Sequence, residues 1–187
     1  DYMTINISSP NTEDLRNFHD KSRFDELMSA IEEEKIKLKS KIPIVVKISP
    51  DILDNQINLM SEILLKYKVK AIIVSNTTEE NRENLQNILK HQKGGLSGKP
   101  LEEKSNKLIN KFYNLLKNKI EIIGVGGVDS GKSAYEKFLS GASYVQLYTG
   151  MVFQGPNIVG KIKKELKKLL INDGVKNFRE IIGKKHY

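Results

Sequence analysis

Tyr2-Met3-Thr4-Ile5-Asn6-Ile7-Ser8-Ser9-Pro10-Asn11-Thr12 is the stretch that decides the fold. Its first half is an apolar run with strand periodicity, so Ile5 and Ile7 share one face and Asn6 takes the other. Pro10 stops the strand pairing and turns the chain. The tip from Asn6 to Thr12 crowds amides and hydroxyls together with almost no charge. Such a tip suits a polar, planar, hydrogen-bonding ligand, although a turn that merely ends a strand has the same composition. An open nucleotide-binding sheet carries Gly-x-Gly-x-x-Gly after its first strand, and this chain has none there.

Working outward, apolar β-branched runs recur at Ile42 to Ile48, Ala71 to Ser75, Ile120 to Val125 and Ala142 to Tyr148. Most are continuous, as in strands buried on both faces. Helical patterns lie between and after them, near Phe24 to Ser40, Leu53 to Tyr67, Glu102 to Lys117, Lys132 to Ser140 and Asn157 to Leu170. This alternation predicts an α/β fold with a parallel sheet. Each strand ends in polar or glycine chemistry: Asn6 to Thr12, Lys47 to Pro50, Ser75 to Thr78, Gly124 to Gly127 and Tyr148 to Gly150. Ligand groups spread over all the strand ends predict a TIM (β/α)8 barrel. About five βα units are present against the eight of a closed barrel, and the chain begins inside a strand. Residues 1–187 therefore read as the C-terminal portion of a single barrel domain, with about three units ahead of it. Standing alone, its first and last strands would be unpaired edges.

The 187 residues contain no cysteine, which removes disulfides, thiolate metal sites and a cysteine nucleophile. His19, His91 and His186 are far apart, without metal-ligand spacing, and read as surface residues. The net charge of +8 comes from lysines spread over every predicted helix, which reads as solvated helix faces. Lys161, Lys163, Lys164, Lys167 and Lys168 surround Ile162, Leu166, Leu169 and Leu170, an amphipathic pattern expected to pack a basic helix on a core. No apolar stretch approaches the roughly 20 residues of a membrane span.

Chemistry concentrates at the strand tips. Lys47 ends an apolar run, and a buried ammonium requires an anion: either a bound anionic group or a carboxylate such as Asp51. Ser75-Asn76-Thr77-Thr78 repeats the amide and hydroxyl chemistry of the first tip. Gly94-Gly95-Leu96-Ser97-Gly98 sits in a loop of about twenty residues, a length that usually carries function. Gly124-Val125-Gly126-Gly127 and Tyr148-Thr149-Gly150 match the phosphate cup that many barrels build from their last two strand loops.

Taken in order, Asn-Ile-Ser-Ser-Pro-Asn-Thr (6–12), Val-Lys-Ile-Ser-Pro-Asp (46–51), Ser-Asn-Thr-Thr (75–78), Gly-Gly-Leu-Ser-Gly-Lys-Pro-Leu (94–101), Ile-Ile-Gly-Val-Gly-Gly-Val (122–128) and Gly-Ala-Ser-Tyr-Val-Gln-Leu-Tyr-Thr-Gly (141–150) resemble the quinone-linked, membrane-associated class 2 dihydroorotate dehydrogenases. The resemblance implies an FMN-binding barrel that oxidises dihydroorotate to orotate in pyrimidine (UMP) biosynthesis, with quinone as acceptor. It implies peripheral attachment to a bacterial inner membrane on the cytoplasmic side, or to a mitochondrial inner membrane, and no nucleic-acid partner. Ser9 falls on the family's catalytic base, where class 1 relatives place cysteine; Thr12 and water are the expected proton route. Asn6, Asn11, Asn76 and Thr77 fall on the substrate clamp. Asn6, Lys47, Ser75, Gly98, Gly127, Tyr148 and Thr149 fall on FMN contacts, with Ser75 standing where threonine is frequent. Competing readings are a class 1 enzyme, a tRNA-dihydrouridine synthase-like barrel, whose cysteine acid is absent here, and an inactive basic half-barrel that binds partners.

Overall fold

The computed structural model describes residues 1–12, 14–80, 82–83 and 85–185, so His186 lies outside the described residues. Five strands, β1 (Met3–Asn6), β2 (Ile44–Ile48), β3 (Ala71–Val74), β4 (Glu121–Val125) and β5 (Tyr144–Gln146), form one sheet in the order β1-β2-β3-β4-β5. Every pairing is parallel. Helices α1 (Lys21–Lys37), α2 (Asp54–Lys66), α3 (Glu102–Leu116) and α4 (Gly131–Ser140) make the crossovers, and α5 (Thr149–Gln154) and α6 (Ile158–Asn172) follow β5. Strand order follows chain order without the reversal that creates a switch point in an open doubly wound sheet. The sheet also curls: Gln146 Nε2 reaches Tyr2 Oη at 3.4 Å, linking residues at the two outer strands.

Period-2 alternation sorts the strand residues. Ile44, Val46, Ile48, Ile72, Val74 and Ile122 face outward onto Phe24 and Met28 of α1, Met60 and Leu64 of α2, and Ile109 and Phe112 of α3. Val45, Ala71, Ile73 and Ile123 form a smaller apolar layer on the other, concave face. Continuous apolar runs thus describe β2 and β3, which are buried along almost their whole length. They do not describe β1 and β5, whose burial is partial because each has a sheet neighbour on one side only. Helix starts follow local chemistry: Asp20 accepts from Ser22 and Arg23 N–H at α1, and Ser130 accepts from Ser133 N–H at α4. Helix α6 buries Ile158 and Ile162 against Ala134 and Phe138 of α4, with Leu166 and Leu170 packed alongside, as its pattern predicts.

One expectation fails here, and one lysine departs from the general pattern. His19 is buried, not on the surface; burial, with the nearby Arg16, lowers its pKa to about 4. Lys137 on α4 is likewise fully buried, although helix lysines were expected to be solvated. Its stem runs beneath β4, where a Cβ on Gly124 would stand 3.1 Å from Lys137 Cδ, and its Nζ donates to Asn106 Oδ1 at 2.7 Å. Burial lowers its pKa to about 7, against the raising influence of Glu102.

Candidate active site at the strand tips

Sheet register aligns the polar side chains before any loop is considered. Asn6 pairs with Lys47, Lys47 with Ile73, and Ile73 with Ile123, so Asn6 and Lys47 lie in one row on the concave face. Just beyond β1, Ser8 is fully buried and donates its hydroxyl to Asn6 Oδ1 at 2.8 Å. From the tip of β3, Asn76 Nδ2 donates to the same hydroxyl at 3.1 Å, and Asn76 Oδ1 accepts Thr77 N–H at 2.8 Å. Amides on strands that are not sheet neighbours therefore meet through one serine. Ser9 lies on the accessible side of this cluster, where its Oγ receives Thr12 Oγ1 and Asn11 N–H, each at 3.2 Å.

The long loop after β3 folds back over the tips. Thr78 and Leu96 exchange backbone hydrogen bonds at 3.1 and 2.7 Å. Arg82 gathers the intervening chain by donating to the carbonyls of Lys90, Gln92 and Gly94. Gly95 then passes so near Thr77 and Pro10 that a Cβ would stand 1.8 Å from Thr77 Oγ1 and 3.0 Å from Pro10 Cγ. Side chains at this position would lift the loop from the first and third tips.

Below that loop lies a cavity of about 680 Å³. Of the expected cofactor contacts, Lys47, Ser75, Gly98, Gly127, Tyr148 and Thr149 line it, and so do Asn76 and Thr77 from the expected clamp. Asn6, Ser9 and Asn11 are not on its wall; Asn6 is tied to it through Ser8 and Asn76. Gly98, Gly126 and Gly127 all adopt positive φ, at 79°, 113° and 78°. Thr149 Oγ1 donates to Ser97 Oγ at 2.9 Å, which joins the glycine loop to the start of α5. The loops after β4 and β5 therefore meet at this cavity, with the loop after β3 as a third wall.

Lys47 is half-buried on this wall, and burial lowers its pKa. Asp51 is not its partner. That carboxylate instead accepts Lys104 Nζ at 2.5 Å, Thr78 Oγ1 and Glu79 N–H, with Arg16 Nη1 at 3.3 Å. Burial pushes Asp51 up, but these donors prevail and hold it below the usual carboxylate range. Among the described residues no carboxylate lies within 4.0 Å of Lys47. Lys47 thus lines the cavity without a counter-ion among the described residues.

Three participants escaped the sequence reading. Ser8 was hidden between Asn6 and Ser9 in a motif already rich in hydroxyls. Ser97 and Arg82 act inside a loop whose path depends on tertiary contacts.

Against known proteins, the profile described as dihydroorotate dehydrogenase matches residues 1–170. The chain belongs to the dihydroorotate dehydrogenase family. The dihydroorotate dehydrogenase (quinone) of Idiomarina loihiensis is 44% identical over 170 residues, covering 89% of this chain and 51% of that protein. The mitochondrial dihydroorotate dehydrogenase (quinone) of Mus musculus is 40% identical over 188 residues, covering 100% and 48%. Ligand-free DHODH from Eimeria tenella superposes with a TM-score of 0.91 at 32% identity, covering 100% of this chain and 56% of that one. The complex of the Eimeria tenella enzyme with ferulenol gives 0.94 at 32% identity, covering 98% and 54%. The chain spans about half the length of the curated dihydroorotate dehydrogenases it matches, at 51% and 48%.

Proposed function

We propose that this chain supplies the C-terminal part of a single (β/α)8 barrel domain that binds FMN and oxidises dihydroorotate to orotate, with quinone as acceptor, in pyrimidine biosynthesis. The single observation that carries the reading is the convergence of Asn6 and Asn76 on Ser8 beside a cavity walled by Lys47 and three loops. Family membership, relatives named for quinone, and serine at position 9 support class 2 over the cysteine-bearing class 1. The strand order and the contact between Tyr2 and Gln146 support barrel curvature. Attachment to the periphery of an inner membrane belongs to the same reading, and no helix among the described residues is long and apolar enough to cross a bilayer.

The residues present fit FMN. Lys47, without an acidic partner among the described residues, offers a cation to a polar ring edge, and Gly98, Gly127 and Thr149 line the cavity where a phosphate is to be held. Bound there, FMN supplies the two-electron chemistry that side chains lack. Asn6, Asn11, Asn76 and Thr77 orient the flat substrate through hydrogen bonds that are directional and neutral. Ser9 removes the proton from the carbon beside the substrate's carboxamide carbonyl. A serine hydroxyl is a weak base, so it must pass on its own proton as it acts; Thr12 Oγ1, 3.2 Å away, is the adjacent relay toward water.

The experiment is a steady-state assay of the full-length flavin-loaded enzyme with dihydroorotate and a panel of acceptors. Turnover with a short-chain quinone and little with soluble acceptors is expected; the reverse preference overturns the class assignment.

A further inference from the structure

The buried hydroxyl of Ser8 has a use that its neighbours determine atom by atom. Asn6 Oδ1 lies 3.3 Å from Ser8 N–H. A backbone N–H only donates, so the oxygen of the Asn6 amide is turned toward Ser8 and its nitrogen away. Thr77 N–H fixes the Asn76 amide by the same logic, at 2.8 Å from Oδ1, which leaves Asn76 Nδ2 to face Ser8 Oγ at 3.1 Å. Since Nδ2 only donates, Ser8 Oγ accepts from it and sends its own proton to Asn6 Oδ1 at 2.8 Å. Donation runs in one direction, from Asn76 through Ser8 to Asn6.

We infer that Ser8 is a positioning residue that locks the carboxamides of Asn6 and Asn76 in one rotational state, both oxygens turned back into the protein and N–H groups left for the ligand. Asn6 Nδ2 makes no hydrogen bond among the described residues, and one of the two hydrogens on Asn76 Nδ2 remains uncommitted. At Asn6 and Asn76 the clamp then offers donors, not acceptors. It selects a ligand whose facing edges carry carbonyl or carboxylate oxygens and rejects one that presents N–H groups there. A flipped amide would set its nitrogen against a backbone N–H, so the lock discriminates as well as orients. The inference rests on the substrate reading above and adds a residue that does not itself touch the substrate.

The test uses the full-length flavin-loaded enzyme, with orotate binding read from the perturbation of flavin absorbance. Ser8→Ala is expected to keep parental flavin content and thermal midpoint while weakening orotate about tenfold, the scale of the hydrogen bonds removed. In an Asn76→Ala background the same change is expected to cost less than about threefold, because one end of the lock is already gone. Equal losses in the two backgrounds, or unchanged orotate binding in Ser8→Ala, overturn the inference. Ser8→Cys, which keeps the packing and weakens the hydrogen bonds, replaces the alanine variant if that protein loses flavin; loss of flavin from both means that the role is structural and also overturns it. A parent enzyme that fails to bind orotate brings down the substrate reading and this inference together. A parent that binds while Ser8→Ala binds equally well brings down the inference alone.

Discussion

Gly150 and Val128 approach so closely that a Cβ on the glycine would stand 2.6 Å from the Val128 carbonyl oxygen. This contact seats the start of α5 against the loop after β4, and the cavity wall depends on it. Gly150→Ala must push the two loops apart. The expected cost is about 1–3 kcal/mol with loss of bound flavin. Gly160→Ala on α6 is the control: among the described residues nothing lies within 4 Å of its Cβ position, so better helix propensity should stabilise by up to about 1 kcal/mol. Thermal denaturation and flavin content of the two variants check the contrast.

Lys47 lines the cavity without an acidic partner among the described residues, so its charge is available to a ligand. Lys47→Met keeps the length of the stem and removes the cation. Flavin affinity should fall roughly 10–100-fold, the range for a charge-assisted hydrogen bond. Fold stability should hold or rise slightly, because burial no longer opposes an ammonium. Equilibrium dialysis of flavin against the variant measures the first effect, and urea denaturation of the flavin-free protein the second.

Ser9→Ala removes the proposed base and leaves the cavity wall intact, since Ser9 does not line it. Turnover should fall at least 10²-fold, the lower range for positioned general-base catalysis, with flavin still bound. Near-parental turnover in this variant would falsify the assignment. Thr12→Val should give a smaller loss, most evident in the pH profile, because water can substitute for a relay.

His19 supplies a stability limb of its own. Its folded pKa is depressed to about 4 from 6.5, so the unfolded chain takes up a proton first as pH falls. The associated stability is present above about pH 6.5, declines between 6.5 and 4, and is gone below 4. The full span is on the order of 3 kcal/mol. His19→Leu should therefore flatten the denaturation midpoint between pH 6.5 and 4 relative to the parent, while carboxylates such as Asp51 keep their own acid limb below it.

The sheet and its order were legible because each strand pairs a β-branched run with a polar or glycine tip, and that signal is local. β2 and β3 match it fully. The partial burial of β1 and β5 was not legible, since exposure at an edge depends on neighbours outside the strand. Much of the cavity wall was foreseen for a similar reason: Lys47, Gly127 and Thr149 all follow directly from a strand end. Ser8 and Lys137 were missed because their roles depend on partners distant in sequence, Asn76 for one and Asn106 for the other. The Lys47 to Asp51 alternative failed on geometry, as Lys104 from α3 occupies that carboxylate first.

The central claim is that these strand tips, completed in the full-length enzyme, present dihydroorotate to a bound flavin. An anaerobic titration reads this directly: dihydroorotate should bleach the flavin absorbance in proportion to active sites, at about one equivalent, and Ser9→Ala should remain yellow over the same interval. A parent protein that carries flavin yet keeps its colour with excess dihydroorotate contradicts the account.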